Sequence, residues 1–194
     1  MLQVVLDVET KQTFNDVGGY FPDRLGVSFV GVNVRDQFGS SGEMHSYFEE
    51  DLPNLFPLLE KADVVIGYNI DGFDMPALAP YYTGEIETIP TLDLMDRIKE
   101  SFGHRIKLDS VAKETLGMGK IGDGLDAIKY YQNRQLDELE KYCLQDVRVT
   151  RDIYDYGIKH GKVTFRNKWN RLIECKVDFS FTPQQNAGVQ MALI

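Results

Sequence analysis

Two long apolar segments near the start of the chain constrain its fold more than any other feature. Residues 2–7 read L-Q-V-V-L-D and residues 25–34 read L-G-V-S-F-V-G-V-N-V, so both are apolar on the two faces of an extended strand. Strands of this kind belong to a sheet that is covered by helices, because every side chain must be buried. The two segments therefore predict a layered α/β protein.

The remaining pattern completes this plan. Glycines punctuate the connections, and the spacing of apolar residues predicts a third strand over 44–48, a helix over 52–61, a buried strand over 64–68, a helix over 75–82, a short strand over 88–92, a long helix over 134–156 and a hairpin over 163–179. A chain of 194 residues with 43% hydrophobic content has the usual size of one domain. We expect one domain over 1–180 and an extended tail over 181–194.

The cysteines and apolar runs bear on the cellular setting. Cys143 and Cys175 lie far apart and outside any C-x-x-C or Cys/His pattern, which indicates neither a disulfide framework nor a zinc site. The run around residues 64–66 is too short to cross a bilayer, and the first residues lack a basic signal-peptide region. These features predict a cytoplasmic protein without a membrane segment.

The net charge of −9 argues against a protein that holds nucleic acid by general electrostatics, because phosphate binding depends on Lys and Arg. The positive charge, however, is concentrated in two segments. The first contains Arg97, Lys99, Arg105, Lys107, Lys113 and Lys120, and the second contains Lys159, Lys162, Arg166, Lys168, Arg171 and Lys176. Such segments can lie beside a phosphate backbone in a protein whose active site is acidic, although solvated surface charge is the alternative interpretation.

Two carboxylates stand at the end of the first strand. Asp7 and Glu9 are two residues apart, so both side chains lie on the same face of the sheet. Paired carboxylates at that position indicate a cation site, although one Asp-x-Glu is expected by chance in a chain with this many acidic residues. The pair therefore needs support from other elements.

A second acidic motif, G-Y-N-I-D-G-F-D-M-P-A-L at residues 67–78, follows a buried strand and precedes a helix. Asn69, Asp71 and Asp74 are thus expected at the carboxyl end of that strand, where ligands bind in open α/β sheets. The structural alternative is that Asn69 or Asp71 shapes a turn and that Asp74 caps the helix beginning near Met75.

The third element is Y-C-L-Q-D, in which Tyr142 and Asp146 are four residues apart and share one face of the long helix. This spacing alone has no value, because Tyr47 and Asp51 share it. Its weight comes from conjunction with the two earlier motifs, since a strand end, a strand-to-helix junction and a late helix can meet at one edge of a sheet.

These three motifs, D-V-E-T, G-Y-N-I-D-G-F-D-M-P and Y-C-L-Q-D, resemble those of the DEDD superfamily of 3′→5′ exonucleases, and are especially similar to the proofreading domains of family B DNA polymerases. The likeness covers about residues 1–160. It implies a ribonuclease H-like fold with a mixed five-stranded sheet flanked by helices. The tyrosine subtype is favoured, because the histidine subtype needs His at position 141, where this chain has Lys141.

The resemblance implies a catalytic centre built from Asp7, Glu9, Asp74, Tyr142 and Asp146, in which the four carboxylates hold two divalent ions. Hard oxygen ligands and a phosphate substrate favour Mg²⁺, with Mn²⁺ as a substitute. Tyr142 is expected to orient the attacking water, since a phenol with a pKa of about 10 suits hydrogen bonding better than proton abstraction. The expected product is a nucleoside 5′-monophosphate from the 3′ end of single-stranded DNA.

Three residues are expected near the terminal nucleotide by the same resemblance, namely Thr10, Asn69 and Phe73. Phe73 could stack on a base or pack beneath the metal site, and packing is the favoured interpretation. Other activities stay open: an RNA exonuclease, an endonuclease or junction resolvase, and a catalytically inactive nucleic-acid-binding module. The choice between DNA and RNA depends on how the pocket treats a 2′-hydroxyl.

Partners follow from the size of the chain and from its last residues. A chain of 194 residues has no room for polymerase or helicase domains, so a role in replication or repair would depend on a polymerase or helicase in trans. Residues 190–194, Q-M-A-L-I, resemble the short glutamine-led peptides that dock on the bacterial sliding clamp. An ordinary frayed terminus is the alternative interpretation of this tail.

Overall fold

A mixed five-stranded sheet forms the centre of the molecule in the computed structural model, which describes residues 1–118 and 124–182. Its strands are β1 (Gln3–Thr10), β2 (Val27–Arg35), β3 (Glu43–Phe48), β4 (Val64–Gly67) and β5 (Thr91–Asp93), in the order β3-β2-β1-β4-β5. The first three strands form an antiparallel meander, and β4 and β5 add to β1 in parallel. The predicted α/β class and mixed five-stranded sheet are confirmed.

Within the described residues, six α-helices and a separate hairpin surround this sheet. They are α1 (Leu52–Lys61), α2 (Asp74–Leu78), α3 (Leu94–Phe102), α4 (Leu108–Leu116), α5 (Gly124–Gln132), α6 (Leu136–His160) and the two-stranded sheet of β6 (Lys162–Arg166) and β7 (Leu172–Lys176). The long helix extends beyond the predicted 134–156, because it continues until Gly161 adopts a left-handed conformation at φ 64°. The predicted helix over 75–82 is shorter than expected and ends in a 3₁₀ turn, Ala79–Tyr81.

Alternation along β1 divides the interior into two cores. Val4, Leu6 and Val8 pack with α1 and α2 on one face of the sheet. Val5 packs on the other face with α3, α4, α6 and the β6–β7 hairpin. Because side chains two residues apart share a face, Asp7 and Glu9 lie on the α6 side of the sheet. The sheet therefore directs the first two carboxylates toward the long helix.

A glycine in the middle of β2 allows α6 to approach the sheet closely. A methyl group on Gly31 would lie 3.0 Å from Cys143 Sγ and 3.1 Å from side-chain atoms of Leu144 and Val147. Asp7 is the partner of Gly31 in the β1–β2 register. A glycine inside a strand often marks such a close approach of another element, and here it brings Asp7 and α6 together.

No helix within the described residues is long and apolar enough to span a bilayer. Residues 183–194 lie outside the described part of the chain, and with them the clamp-binding peptide predicted at residues 190–194. The expected domain over 1–180 and tail over 181–194 stay predictions.

Candidate functional site

Asp7 and Glu9 lie side by side at the carboxyl end of β1. A carboxylate oxygen of each and the Sγ atom of Cys143 all lie within 4.8 Å of one another. The Cys143 thiol donates to Asp7 Oδ2 and to the Asp7 carbonyl oxygen, both at 3.4 Å. The thiol thus fixes Asp7 from the side of α6, while Glu9 is 8% exposed.

Tyr142 and Asp146 lie one turn apart on α6 and line the same cavity as Asp7 and Glu9. The Tyr142 hydroxyl lies near the Asp146 carboxylate. Asp146 is only 9% exposed, yet its Oδ1 atom has no hydrogen-bond partner among the described residues. Because buried polar atoms are normally paired, this oxygen is available for a ligand.

Asp74 lies near the same carboxylates but does not line the cavity. It is 3% exposed, and its Oδ1 atom accepts a hydrogen bond of 2.9 Å from the backbone N–H of Val8, between Asp7 and Glu9. The capping interpretation of Asp74 is wrong, because Phe73 occupies the N-cap position of α2 and no side chain caps that helix. Asp74 faces β1 instead.

Asp71 is turned toward β5, away from this group. Its Oδ1 atom accepts a hydrogen bond of 2.6 Å from the Thr91 hydroxyl, and its side chain lies in an exposed part of the surface. Of the two aspartates in the second motif, the structure therefore brings Asp74, and not Asp71, to Asp7 and Glu9.

Asp93, which the sequence motifs did not single out, holds the loop that carries the second motif. Its carboxylate accepts from the backbone N–H of Asn69 at 2.9 Å and of Asp71 at 3.3 Å, and it also caps α3. Asn69 has a positive φ of 68° and does not line the cavity. Its carbonyl accepts from the N–H of Phe73 at 2.9 Å, so its backbone shapes the turn before Asp74.

The cavity of about 530 Å³ joins the acidic edge to an apolar wall. Thr10 and Phe73 line it, as the resemblance predicts for residues near a substrate. The wall also contains Phe14, Leu25, Leu125 and Ile128. Phe73 is partly exposed and lies edge-on to Phe14, with ring centroids 6.0 Å apart. A flat, apolar ligand group could therefore lie beside the carboxylates.

Burial raises the pKa of all four carboxyl groups, and the charges of neighbouring carboxylates raise it further for Glu9, Asp74 and Asp146. Burial raises the pKa of Asp7 to about 6 and, together with the charge of Asp7, that of Asp146 to about 8. The pKa values of Glu9 and Asp74 lie well above their ordinary range, first because of burial and then because of the neighbouring carboxylates. The site contains more negative charge than it can neutralise itself.

This arrangement fits a divalent cation. The cavity is lined by carboxylates, and no Lys or Arg is found among the described residues around it. Buried carboxylates are stable when they are paired or coordinate metals, and oxygen-only donor sets suit Mg²⁺ and Mn²⁺. Asp7, Glu9, Asp74 and Asp146 would hold such ions, and the unpartnered oxygen of Asp146 is the clearest single indication.

Two features of the site were missed from sequence. Cys143 contacts Asp7, although its isolated position indicated no metal-site role. Gly31 sets the distance between β2 and α6. The sequence did contain a signal for Gly31, because a glycine inside an apolar strand indicates close packing. For Cys143 the only signal in the sequence was its position next to Tyr142.

Comparisons with solved structures show where this fold occurs. The family B DNA polymerase from the archaeon Pyrobaculum calidifontis matches with a TM-score of 0.61 at 20% identity, covering 81% of this chain and 24% of the polymerase. A zinc-bound complex of E. coli ExoI with ssDNA matches with a TM-score of 0.48 at 13% identity, covering 82% of this chain and 41% of the other. This chain thus spans less than half the length of either structure. The likeness to the polymerase shows a shared fold.

Comparisons of sequence give the family. Among the curated proteins no sequence matches. The model of the RNase_H superfamily matches residues 5–158, which contain all the acidic motifs described above. The chain therefore belongs to the RNase_H superfamily.

Proposed function

We propose that this protein is a metal-dependent 3′→5′ exonuclease of the DEDD type, tyrosine subtype, acting on single-stranded DNA. The observation that carries the proposal is the convergence of Asp7, Glu9, Asp74 and Asp146 without a compensating cation among the described side chains around the cavity. Tyr142 lies in the same cavity, one helical turn from Asp146. Membership of the RNase_H superfamily supports nuclease chemistry.

The reaction is hydrolysis of the last phosphodiester bond. The oxygen of a water molecule bonds to phosphorus, the bond from phosphorus to the 3′ oxygen of the preceding nucleotide breaks, and that oxygen takes up a proton. The products are a nucleoside 5′-monophosphate and a strand shortened by one nucleotide. Two Mg²⁺ ions, held by the four carboxylates, would stabilise the charge on the attacking and leaving oxygens and lower the pKa of the attacking water.

Tyr142 orients the water and does not take its proton. Burial, followed by the charges of Asp146, Glu9 and Asp7, raises the pKa of its phenol far above the ordinary value. The phenol is therefore neutral at physiological pH and can only donate or accept a hydrogen bond. Its role in the proposal is to align the attacking oxygen with the scissile phosphate.

The apolar wall would hold the terminal nucleotide. Phe14, Phe73, Leu125 and Ile128 line the same cavity as the carboxylates. Bases stack on aromatic side chains with little dependence on sequence. Thr10 lies at the junction of the acidic and apolar parts, whereas Asn69, which does not line the cavity, would act through the turn it shapes.

The proposal is tested by measuring whether a labelled DNA strand is shortened from its 3′ end. A 5′-labelled 20-nucleotide DNA strand should yield a ladder that starts from the full length with Mg²⁺ or Mn²⁺, and no products with chelator. Asp7→Ala should be inactive, whereas Lys61→Ala, at the exposed end of α1, should be as active as the wild type. Parallel RNA and double-stranded substrates determine the preferred nucleic acid. Internal cuts would indicate an endonuclease, and chelator-insensitive activity would exclude the metal mechanism.

A further inference from the structure

The β6–β7 hairpin ends in an exposed tryptophan that has no role in the cavity. Trp169 is the only tryptophan of the chain and is 69% exposed. The hairpin is anchored on the other side, where Val163, Phe165 and Cys175 are buried in the core with α3, α4 and α6. The fold thus presents a large aromatic ring to solvent at the end of a firmly packed element.

The turn that carries Trp169 is internally hydrogen-bonded. Asn167 Oδ1 accepts from the backbone N–H groups of Trp169 and Arg171, both at 3.0 Å. The backbone N–H of Asn167 donates to the Arg171 carbonyl at 3.0 Å, and the Arg166 guanidinium donates to the Asn170 carbonyl at 3.0 Å. A turn ordered in this way loses little entropy when it binds a ligand.

Positive charge is concentrated along the segment that contains Trp169, in a chain that is otherwise acidic. Residues 159–176 contain six Lys or Arg residues and one acidic residue, whereas the whole chain has a net charge of −9. Lys162 and Arg166 are engaged with Glu174 and Glu114. Lys168 and Arg171 are exposed at the tip, and Lys168 Nζ lies 4.5 Å from the centroid of the indole. An aromatic ring between exposed cations suits a polyanion that carries planar rings.

Helix α4 connects this tip to the acidic cavity. Near its start, Asp109 lies close enough to Asp146 to raise the pKa of that carboxyl. Near its end, Glu114 binds Arg166 at 3.0 Å. These two α4 residues are separated by roughly 7 Å along the helix, and Trp169 is at most ~11 Å beyond Arg166. A strand of several nucleotides could reach from one to the other.

We propose that the hairpin tip, residues 167–171, binds single-stranded nucleic acid several nucleotides away from the 3′ end held in the cavity. Trp169 stacks on a base, and Lys168 and Arg171 contact phosphates. The assignment of the 3′ end to the cavity rests on the proposed function, whereas binding at the tip does not require hydrolysis. The hairpin therefore extends the substrate site onto a surface outside the matched residues 5–158.

Because Trp169 is the only tryptophan, its fluorescence reports on this surface directly. Adding dT12 to the metal-free wild-type protein in chelator should quench the emission saturably, with a dissociation constant that increases with salt. Unchanged emission while the anisotropy of a labelled dT12 shows binding would overturn the proposal. A blue shift with anionic phosphatidylglycerol vesicles and no response to dT12 would also overturn it, in favour of a lipid surface.

Variants separate stacking from charge. Trp169→Ala should weaken dT12 binding about tenfold, and Trp169→Phe should recover much of it, because phenylalanine also stacks on bases. Lys168→Glu with Arg171→Glu should weaken binding and lower the salt slope by about two. Lys61→Glu, on the opposite side of the central sheet at the end of α1, is the control for charge reversal at a distant surface and should bind like the wild type. An equal loss in the control would leave no specific role for the tip.

Activity distinguishes a failure of this inference from a failure of the proposed function. With Mn²⁺, Trp169→Ala should raise the KM for a 20-nucleotide strand about tenfold with a smaller change in kcat, and the effect should shrink for a trinucleotide. A wild-type protein that binds dT12 through Trp169 but hydrolyses nothing would refute the exonuclease and not the hairpin. An active enzyme with the same KM in Trp169→Ala would refute the hairpin and not the exonuclease.

Discussion

Two buried polar clusters lie at opposite ends of β1 and α6, and they differ in whether their charges are paired with opposite charges. At one end, Arg35 forms a bidentate ion pair with Asp155, with N–O distances of 2.8 and 2.6 Å, and donates from Nε to Gln3 at 2.9 Å. Gln3 in turn donates to the Tyr154 hydroxyl at 3.1 Å. Every charge in this cluster has a partner.

At the other end, burial and then the charge of Asp7 raise the pKa of both Glu9 and Asp146, and Asp146 has an oxygen without a partner in the described structure. The same strand and helix therefore support a neutralised cluster and an unneutralised one. This contrast shows that the fold can neutralise a buried charge by an ion pair when that charge has a structural role. The acidic cluster costs stability, which is consistent with a site selected for binding cations.

Removal of a carboxylate from the acidic cluster should reduce catalytic activity more than any other change. Asp74→Ala should lower kcat by about 10³-fold or more, because metal ligands stabilise charge in the transition state by several kcal/mol. Asp71→Ala, three residues away and bonded to Thr91, is the matched control and should stay within a few-fold of the wild type. Rates of mononucleotide release measure the activity of both variants. The reverse pattern would identify Asp71, and not Asp74, as the catalytic carboxylate.

Removal of a charge from the paired cluster should instead reduce the stability of the fold. Arg35→Ala leaves Asp155 and Gln3 without their partner, so the free energy of unfolding should fall by about 3 kcal/mol, the lower end for a buried pair because Asp155 is 27% exposed. Urea titration measures the loss. Below the unfolding transition, activity per folded molecule should be preserved. A variant as stable as the wild type would contradict a structural role for this cluster.

Tyr142→Phe sharpens the comparison, because it removes a hydrogen bond but no charge. It should lower kcat about 10²-fold, the usual effect of losing one positioned donor. Since the raised pKa keeps the phenol neutral, the variant should keep the shape of the wild-type pH–rate profile. Loss of a limb of that profile would instead make Tyr142 a proton acceptor.

The smallest expected effect concerns pH and metal. A carboxyl group with a raised folded-state pKa, such as Asp7 at about 6 and Asp146 at about 8, keeps its proton where the unfolded chain has lost it. The metal-free protein should therefore lose stability as the pH rises from about 4 to 8. At pH 8, 10 mM Mg²⁺ should restore about 1–2 kcal/mol, or a few degrees in Tm, and less at pH 5.

Thermal unfolding with chelator and with Mg²⁺ at both pH values checks this prediction. The Asp7→Asn variant is its control, because it removes one of the repelling charges without changing the shape of the side chain. It should be more stable than the metal-free wild type at pH 8 and should gain less from Mg²⁺. Equal gains in the two proteins would contradict binding of the ion by Asp7.

Much of the fold could be predicted, because its signals are local. The continuous apolar runs of β1 and β2 indicated a covered sheet, and the two-residue spacing of Asp7 and Glu9 placed both on one face. The apolar stripe of α6 gave a long helix. The hairpin over 163–179 was predicted, but the helices α3, α4 and α5 were not predicted individually, since short amphipathic segments have weak periodicity.

The site was less predictable where it depends on contacts between distant elements. The second motif contained two aspartates, and contacts with distant residues distinguish them: Asp74 accepts from Val8, whereas Asp71 accepts from Thr91. The hydrogen bond from the Asn69 N–H to Asp93 joins residues 24 positions apart. The hydrogen bond from the Cys143 thiol to Asp7 joins residues 136 positions apart. No local pattern encodes such pairs, because they form only when elements that are distant in the sequence pack together.

The most direct test of the central claim is anomalous diffraction from crystals soaked with Mn²⁺ and a nucleoside 5′-monophosphate. We expect two Mn²⁺ ions, ~4 Å apart, bound by Asp7, Glu9, Asp74 and Asp146, with the phosphate beside Tyr142. Anomalous peaks elsewhere, or four carboxylates that bind no ion at millimolar Mn²⁺, would contradict it.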